Sequence, residues 1–456
     1  MGFECHHLDK WSFANLDLCE EQMEKGKRKA LILLAGASSS GKSFASGYIT
    51  RTLQQEGHKP CVLSLDMYNF GLSGIIPNKV NLNYFNNSLK NMKKIRAIIK
   101  NIIVDTPFEE KYEEPNLVKI EGALANILSK KDLKTFIKGL KEEWSKLNFD
   151  EPSVYDLEEA SKDIYKLFDN KTITKKSYSK IISERVETDE QINGEDYDII
   201  VVEGIYALTK DFVNLVSTLD PIKNFIDGNP KSLFLRRILR DKKVTSAPST
   251  FTIRNYFKFI IPSYEETILP ARPTADIILN NDMTFSELRS GPTYVTRETL
   301  DIKKDANLES FKKNSKIIYQ HFEKDSYFVV PNETRKEDNI LRFREISKDE
   351  GKTYEPWSLI HKGIAKLRRD QRIIRVVNLL LDENEIKDVW PNEDSCFLDF
   401  CRAGFEINRI EKKIKTRLIY KGGTFTLFEV PGKKNYLEIV DKKDDKLLKE
   451  IKSLLQ

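Results

Sequence analysis

The stretch from Gly36 to Ser43 reads GASSSGKS, the spacing G-x-x-x-x-G-K-[ST]. It follows the apolar run KALILLA (Lys29 to Ala35) and precedes a segment, Lys42 to Glu56, where Phe44, Tyr48, Ile49 and Leu53 recur at near-helical spacing. A buried strand, a glycine-bounded turn and a helix in this order leave few folds open. This context marks a phosphate-cradling loop in a parallel α/β sheet. Gly36 and Gly41 let the backbone curl so that its amides point at phosphate oxygens, aided by the helix N-terminus. Lys42 supplies positive charge to the β- and γ-phosphates, and Ser43 offers a hydroxyl to Mg2+. Gly36, Ala37, Ser38, Ser39, Ser40, Gly41, Lys42 and Ser43 are therefore the candidate nucleotide-binding set, which by itself does not separate kinases from GTPases, ATPases or motors.

Further short apolar runs read as strands: CVLSL (Cys61 to Leu65), YDIIVV (Tyr197 to Val202), SLFL (Ser232 to Leu235) and ADIIL (Ala275 to Leu279). Helical segments separate them, so the expectation is an α/β domain, a parallel sheet flanked by helices, over 29–289. Residues 1–28 are polar and mixed and read as a helical or irregular lead-in. A lysine-rich region, about 75–147, carries IRAIIKNII and LKTFIKGLKEEW at helical period and reads as a helical insertion. SGPT (Ser290 to Thr293) reads as a linker. Beyond it TLDIK, LRFREI, WSLIHKG, KTRLIY, TFTLFEV and NYLEIV alternate apolar with charged residues, the period-two pattern of strands with one polar face. The expectation for 290–456 from this pattern is a separate, mostly β domain, ending in the helix-like LLKEIKSLL.

Composition narrows the class. A length of 456 residues exceeds what one core usually organises. The balance of 75 Lys and Arg against 70 Asp and Glu, a net +5, gives no reason to expect nucleic acid. No apolar run reaches the roughly 18–20 residues of a membrane helix. The start lacks a secretory pattern, and His6 stands where a myristoylation signal wants Ser or Thr. Five scattered cysteines form no framework, which fits a reducing compartment. The expectation is a cytoplasmic protein, with a homo-oligomer left open. Cys5, His6 and His7 are adjacent and cannot close a tetrahedral metal site by themselves. Cys396 and Cys401 read as buried packing thiols.

Three more features carry chemistry. Asp66, in SLDMYNF, emerges at the C-terminal end of a strand, where it can orient an acceptor hydroxyl and take its proton. Glu203, in VVEGIYAL, ends another strand and can hold Mg2+ directly or through water. In LFLRRILRD, Arg236 and Arg240 lie one helical turn apart, as a lid that brings guanidinium groups to a transferring phosphate requires.

These segments, together with NFDEPSVYD (Asn148 to Asp156) and KKSYSKIISER, resemble in order the uridine kinase and phosphoribulokinase family over most of 29–285. The resemblance implies that Asp66 is the catalytic base, with Lys42, Arg236 and Arg240 completing the catalytic set. It implies an acceptor pocket of Asp66, Tyr68, Asp150, Tyr178 and Arg185, with ATP as co-substrate and Mg2+ held by Ser43 and Glu203. Two departures bear on the substrate. Ser183 stands where the nucleoside kinases carry a base-reading His, and KKVTSAP replaces the Gly-Arg element after the lid arginines.

The C-terminal half resembles a CYTH domain, the triphosphate-tunnel fold of class IV adenylate cyclases and thiamine triphosphatases. The resemblance rests on TLDIK, DSYF, LRFRE, WSLIHKG, GFEINRIEKKIKTRLIY and FEVPGKKNYLEIV. It implies an α+β domain built on an antiparallel barrel, with a phosphate-binding tunnel lined by Lys303, Arg342, Arg344, Lys362, Lys415 and Arg417, for a polyphosphate or triphosphate ligand. Glu429 and Glu438 remain as metal candidates. Thr299 replaces the first acid of the opening motif, Arg372 and Arg375 appear where paired acids are expected, and Val440 replaces the last acid, so weakened catalysis is expected there. The combined expectation is a kinase that transfers the γ-phosphoryl group of ATP to a hydroxyl of a nucleoside or related small sugar-like acceptor. Two alternatives stay open: a pyrophosphate or organic triphosphate hydrolase with the P-loop domain as nucleotide sensor, and a non-catalytic nucleotide-binding regulator.

Overall fold

The structure is a computed structural model and describes residues 3–71, 88–105, 116–146, 148, 150–244, 249–281, 293–303, 306–329, 340–368, 371–377, 383–441 and 445–455. The chain divides into two compact units, Met1–Thr284 and Phe285–Gln456. Ser290 to Pro292 of the expected linker lie outside the described residues, and Thr293 already begins a strand.

The first unit contains, in chain order, β1 (Phe3–Cys5), β2 (Ala30–Gly36), β3 (Pro60–Ser64), β4 (Thr172–Ser179), β5 (Glu184–Asn193), β6 (Ile199–Glu203), β7 (Ile222–Asp227) and β8 (Ile277–Asn280). Six of these form a parallel sheet in the order β1-β8-β7-β2-β6-β3, while β4 and β5 form a separate antiparallel hairpin. Every residue of β2 is buried, as a central parallel strand covered on both faces requires. Leu31, Leu33 and Ala35 point into the core shared with the helices Leu157–Phe168 and Lys210–Val216. Ala30, Ile32 and Leu34 point into the opposite core with the helices Leu8–Glu24 and Lys42–Gln55. This alternation places the sheet between two helical layers.

Two sequence expectations need correction. The lead-in is helical over Leu8–Glu24, one of the two forms expected, but it is part of the fold rather than an appendage: β1 pairs with β8, and Trp11, Leu16 and Cys19 belong to the core. A buried amide network ties this segment to the sheet. Trp11 Nε1 donates to Asn224 Oδ1 at 2.8 Å, and Asn15 and Asn224 exchange hydrogen bonds of 2.9 and 2.7 Å. Asn224→Ala leaves those donors without their acceptor and should destabilise this unit by about 1–3 kcal/mol in denaturant unfolding. An unchanged midpoint would remove the network from the account. The second correction concerns SLFL, which lies inside the helix Pro230–Val244 rather than in a strand. Short apolar runs look alike in buried strands and helices. The overlooked signals are Pro230 in the first turn and Asn229, whose Oδ1 accepts from Lys231 N at 2.9 Å. The strand in that part of the sheet is β7, which the sequence reading missed.

The insertion contains helices Ser88–Asp105, Leu117–Leu124 and Lys130–Ser145. They bury Ile95, Ile99, Ile103, Ile120, Leu124, Leu133, Phe136 and Leu140 in a core of their own. The lysines between these positions, among them Lys93, Lys94 and Lys100, are exposed.

The second unit continues with β9 (Thr293–Asp301), β10 (Lys316–Val329), β11 (Ile340–Ser347), β12 (Glu355–Arg368), β13 (Gln371–Val377), β14 (Glu406–Tyr420), β15 (Gly423–Glu429) and β16 (Tyr436–Asp441). They close into an antiparallel barrel in the order β10-β11-β12-β13-β9-β16-β15-β14. Leu418, Phe425, Leu427 and Leu437 line the outer face under Phe311 of helix Leu308–Lys313 and Leu447, Ile451 and Leu455 of helix Asp445–Leu455. In the helix Glu393–Arg402, Cys396 is buried but Cys401 is exposed, against the packing expectation for both. Among the described residues no helix is long and apolar enough to cross a membrane.

Candidate active site

The loop between β2 and helix Lys42–Gln55 has the backbone its sequence demands. Gly36 adopts φ +149°, and a Cβ there would meet the carbonyl oxygen of Ile226 at 2.2 Å. Gly41 adopts φ +96°, where a Cβ would strike Asn281 Nδ2 at 2.4 Å. Only glycine serves at either position. Asn281 follows β8 and donates from Nδ2 to Ser40 O at 2.6 Å, holding the loop from behind. The hydroxyls of Ser39 and Ser40 are buried without a hydrogen-bond partner. Two orphaned hydroxyls in a loop of converging amides fit phosphate oxygens as the missing partners.

Lys42 is buried, and its Nζ donates to Gly36 O at 3.1 Å and Ala37 O at 2.8 Å. Burial pulls its ammonium down to about 8. Glu203 and Asp66 oppose that shift, while Arg240 and Lys180 add to it. These five charged groups therefore share one locality at the C-terminal edge of the sheet. Ser43 Oγ lies 3.4 Å from each Glu203 carboxylate oxygen, a spacing at which both can serve one divalent cation directly or through water.

Asp66 follows β3 in a single 3-10 turn, Leu65–Tyr68, where its amide donates to Ser64 Oγ at 3.3 Å. Its carboxylate is 3.2 Å from Lys180 Nζ, in the turn between β4 and β5. The segment NFDEPSVYD is clipped alongside. Phe70 N donates to Val154 O at 2.9 Å, and Asp156 N donates to Tyr68 O at 2.9 Å. This brings Asp150 and Tyr155 to the same edge. Asp150 is buried, accepts at 3.4 Å from Arg237 Nη1, and its carbonyl accepts from the Tyr206 hydroxyl. Burial, and then Asp66, Asp150, Tyr206 and Tyr178, hold the Tyr155 hydroxyl well above the usual tyrosine range. Tyr178, half-buried on β4, thus belongs to the same cluster. Ser183 is buried in the left-handed region, φ +54°, of the β4–β5 turn.

Other residues expected at the site face elsewhere. Tyr68 is 1% exposed and donates to Asp163 Oδ2 at 3.2 Å, beneath the hairpin rather than in the pocket. Arg185 Nη2 donates to Glu159 Oε2 at 2.9 Å, which makes it an anchor of the hairpin. Arg236 is buried and donates to Asn281 O at 3.1 Å, behind the loop. Its neighbour Arg237 is the one that reaches the phosphate loop, with Nη1 2.6 Å from Ser38 Oγ and Nε 2.7 Å from Asp241 Oδ2. Arg240 stays on the site face, paired with Asp241 at 2.8 Å. Adjacent helical residues point about 100° apart, so one step in phase exchanges the two arginines. Arg237 was passed over in favour of Arg236, and Tyr155, Lys180 and Asn281 were missed. The first three lie inside motifs already singled out, but nothing in their spacing set them apart.

Residues 104–285 match the profile of the Phosphoribulokinase / Uridine kinase family. A uridine kinase from Macrococcus caseolyticus is 31% identical over 138 residues, 30% of this chain and 65% of that protein. A uridine kinase from Lactobacillus helveticus is 30% identical over 148 residues, 31% of this chain and 67% of that protein. The chain belongs to the phosphoribulokinase/uridine kinase family. The match to the first relative thus spans just under two thirds of its length. A solved structure of a possible uridine kinase from Bacillus stearothermophilus aligns at 13% identity, over 57% of this chain and 95% of that chain, with a TM-score of 0.29.

Outside the segment of family resemblance, the barrel interior is the second charged locality. Tyr436 on β16 is half-buried, and burial, then Tyr327, Glu411, Glu438 and Asp325, raise its hydroxyl. Because β16 and β10 are not neighbours, these side chains point across the lumen. Asp325 is fully buried, 2.7 Å from Arg344 Nε and 3.4 Å from Arg342 Nη1, and also accepts from Lys413. Glu323 pairs with Arg344 at 2.9 Å and Lys415 at 3.5 Å. Burial acts to raise the Asp325 carboxyl, but Arg342, Arg344 and Lys413 outweigh it and hold it well below the usual carboxylate range. Lys413 shifts the other way: burial, with repulsion from Arg344 and Arg342, lowers its ammonium against the pull of Asp325 and Glu323. The cluster as a whole is favourable to the carboxylate and costly to that lysine.

Arg342, Arg344, Lys415 and Arg417 share this lumenal face, Arg417 with its Nη1 2.9 Å from Thr426 Oγ1. Lys303 is exposed beyond the end of β9. The side chains of Lys362, Arg372 and Arg375 lie outside the described residues. Glu438 faces the lumen, but Glu429 does not: it accepts from Lys312 on the outer face at 2.8 Å. Strand alternation separates them, since Glu429 shares its face with Phe425 and Leu427. The acids Glu323, Asp325 and Glu411 were missed. Among the described residues no group of three or more His, Cys, Asp and Glu is placed to hold a metal ion. As arranged, the lumenal acids face cations and do not fit one.

Proposed function

We propose that the first unit transfers the γ-phosphoryl group of ATP to a hydroxyl of a nucleoside or related sugar-like acceptor. The observation that carries this reading is that the adjacent parallel strands β2, β6 and β3 end in the Lys42 loop, Glu203 and Asp66, with Ser43 Oγ 3.4 Å from the Glu203 carboxylate. Loop amides, the orphaned Ser39 and Ser40 hydroxyls and Lys42 hold the phosphates. Ser43 and Glu203 hold Mg2+, which neutralises phosphate charge when bound. Asp150, Tyr155 and Tyr178 face the acceptor. The carboxylate of Asp66 takes the acceptor's hydroxyl proton as the new P–O bond forms, the bond to the bridging β–γ oxygen breaks and ADP leaves. Most of the acceleration in such a site comes from positioning and charge stabilisation.

The test is transfer of labelled γ-phosphate to a nucleoside panel. Asp66→Asn should lower it about 10²–10⁴-fold, the usual contribution of a positioned base. Full transfer by that variant would sink the reading.

The barrel supports a second reading. It is a CYTH-type tunnel for a polyphosphate or triphosphate, with Arg342, Arg344, Lys415 and Arg417 as phosphate contacts. Hydrolysis of pyrophosphate or an organic triphosphate there would require lumenal acids such as Glu323 and Asp325 to leave their cations for a metal ion. In that case phosphate release without an acceptor would be untouched by Asp66→Asn.

A further inference from the structure

The cations expected on the lid are already engaged. Asp241 accepts from Arg237 Nε at 2.7 Å and from Arg240 Nε and Nη2 at 2.9 and 2.8 Å. Burial opposes its ionisation, but these two guanidinium groups outweigh that and hold its carboxyl below the usual range. Arg237 is shared further with Ser38 and Asp150. Lys242, just beyond, is exposed.

Another cation enters from a different element. Lys180 sits in the β4–β5 turn, and its Nζ is 3.2 Å from Asp66 Oδ2. The turn is pinned on both sides: Lys176 of β4 and Arg185 of β5 both hold Glu159 of helix Leu157–Phe168. Lys176 also covers the Tyr68 ring at 5.2 Å. The ammonium is close enough to Lys42 to repel it. Lys42 Nζ lies against the loop carbonyls of Gly36 and Ala37, whereas Lys180 stands beside Asp66, the residue assigned to the acceptor. Both partners of the Lys180–Asp66 pair are more than a third exposed, so opening it costs little.

We propose that Lys180 is a catalytic cation of the phosphotransfer. When the transferring phosphoryl group occupies the site, the Lys180 ammonium leaves Asp66, freeing that carboxylate for the acceptor, and hydrogen-bonds an equatorial oxygen of the group, opposite Lys42. It makes no covalent bond and moves no proton; it stabilises charge spread over the transferring oxygens. The inference rests on the phosphotransfer reading of this site.

The test needs no knowledge of the acceptor. Full-length wild type, Lys180→Ala and Lys180→Arg are titrated with Mg-ADP alone and with Mg-ADP plus aluminium fluoride, which mimics the transferring group. Lys180→Ala should bind Mg-ADP within about twofold of wild type but lose on the order of 100-fold with aluminium fluoride, the scale of one lost transition-state donor. Lys180→Arg should recover a large part of that loss. Equal weakening of both complexes would assign Lys180 a structural role and overturn the proposal, as would undiminished affinity with aluminium fluoride. If wild type binds no Mg-ADP, the phosphotransfer reading itself falls. If it binds and the alanine variant matches it throughout, only the role of Lys180 falls.

Discussion

Replacement of Lys42 by alanine is expected to lower Mg-ATP-dependent phosphoryl transfer by about 10²–10³-fold, the cost of one preorganised donor at a site of developing charge. The side chain is buried and its Nζ is tied to the carbonyls of Gly36 and Ala37, so the charge is placed before nucleotide arrives. A pH dependence follows. Burial brings the ammonium to about 8. Bound phosphates favour the protonated form, so above about pH 8 binding must take up a proton and affinity should weaken as pH rises. Below that pH the ammonium is already charged and this contribution is flat. Calorimetric titration of wild type with Mg-ATP from pH 6.5 to 9.5 should show the decline, and Lys42→Ala should lack it. A wild-type affinity that does not change across this range would contradict the placement of the lysine.

Asp325→Ala is expected to destabilise the barrel unit by about 3–5 kcal/mol, because it leaves buried cations without their counter-charge. Arg342, Arg344 and Lys413 all face this one carboxylate in the lumen. The folded carboxyl is held below its unfolded value, so its stabilisation is fully present above about pH 4, the unfolded value. It is lost as pH falls further towards the folded value. Denaturant unfolding of the full chain should show the barrel transition weakening below about pH 4 in wild type, with a smaller acid dependence in the variant. Equal stability of the two proteins at pH 7 would show that the lumenal cations find other partners.

The elements that were legible from sequence share a property: their requirements are local. GASSSGKS needs positive φ at Gly36 and Gly41, and both are met within the loop itself. KALILLA and YDIIVV read as buried strands because their cores, ALILLA and IIVV, hold no polar residue, and both are central in the sheet. The failures were of another kind. SLFL carries no periodicity that separates strand from helix, so Pro230 and Asn229 decided it. Residues 1–28 looked polar because Trp11, Leu16 and Cys19 are spread along one helix, and only Asn224, more than two hundred residues away, reveals which side is buried.

The phosphate loop, the strands that carry Asp66 and Glu203, and the alternating barrel strands were determined by the sequence alone. Each follows from backbone sterics or hydrophobic period over a few residues. The tertiary structure decided which of two adjacent arginines meets Ser38, that Lys180 reaches Asp66, and that Asp325 meets Lys413, 88 positions further along the chain. Those pairings depend on helix phase, hairpin placement and barrel closure. Side chains distant in sequence come within hydrogen-bonding range only after the chain between them has folded, so no local pattern encodes them.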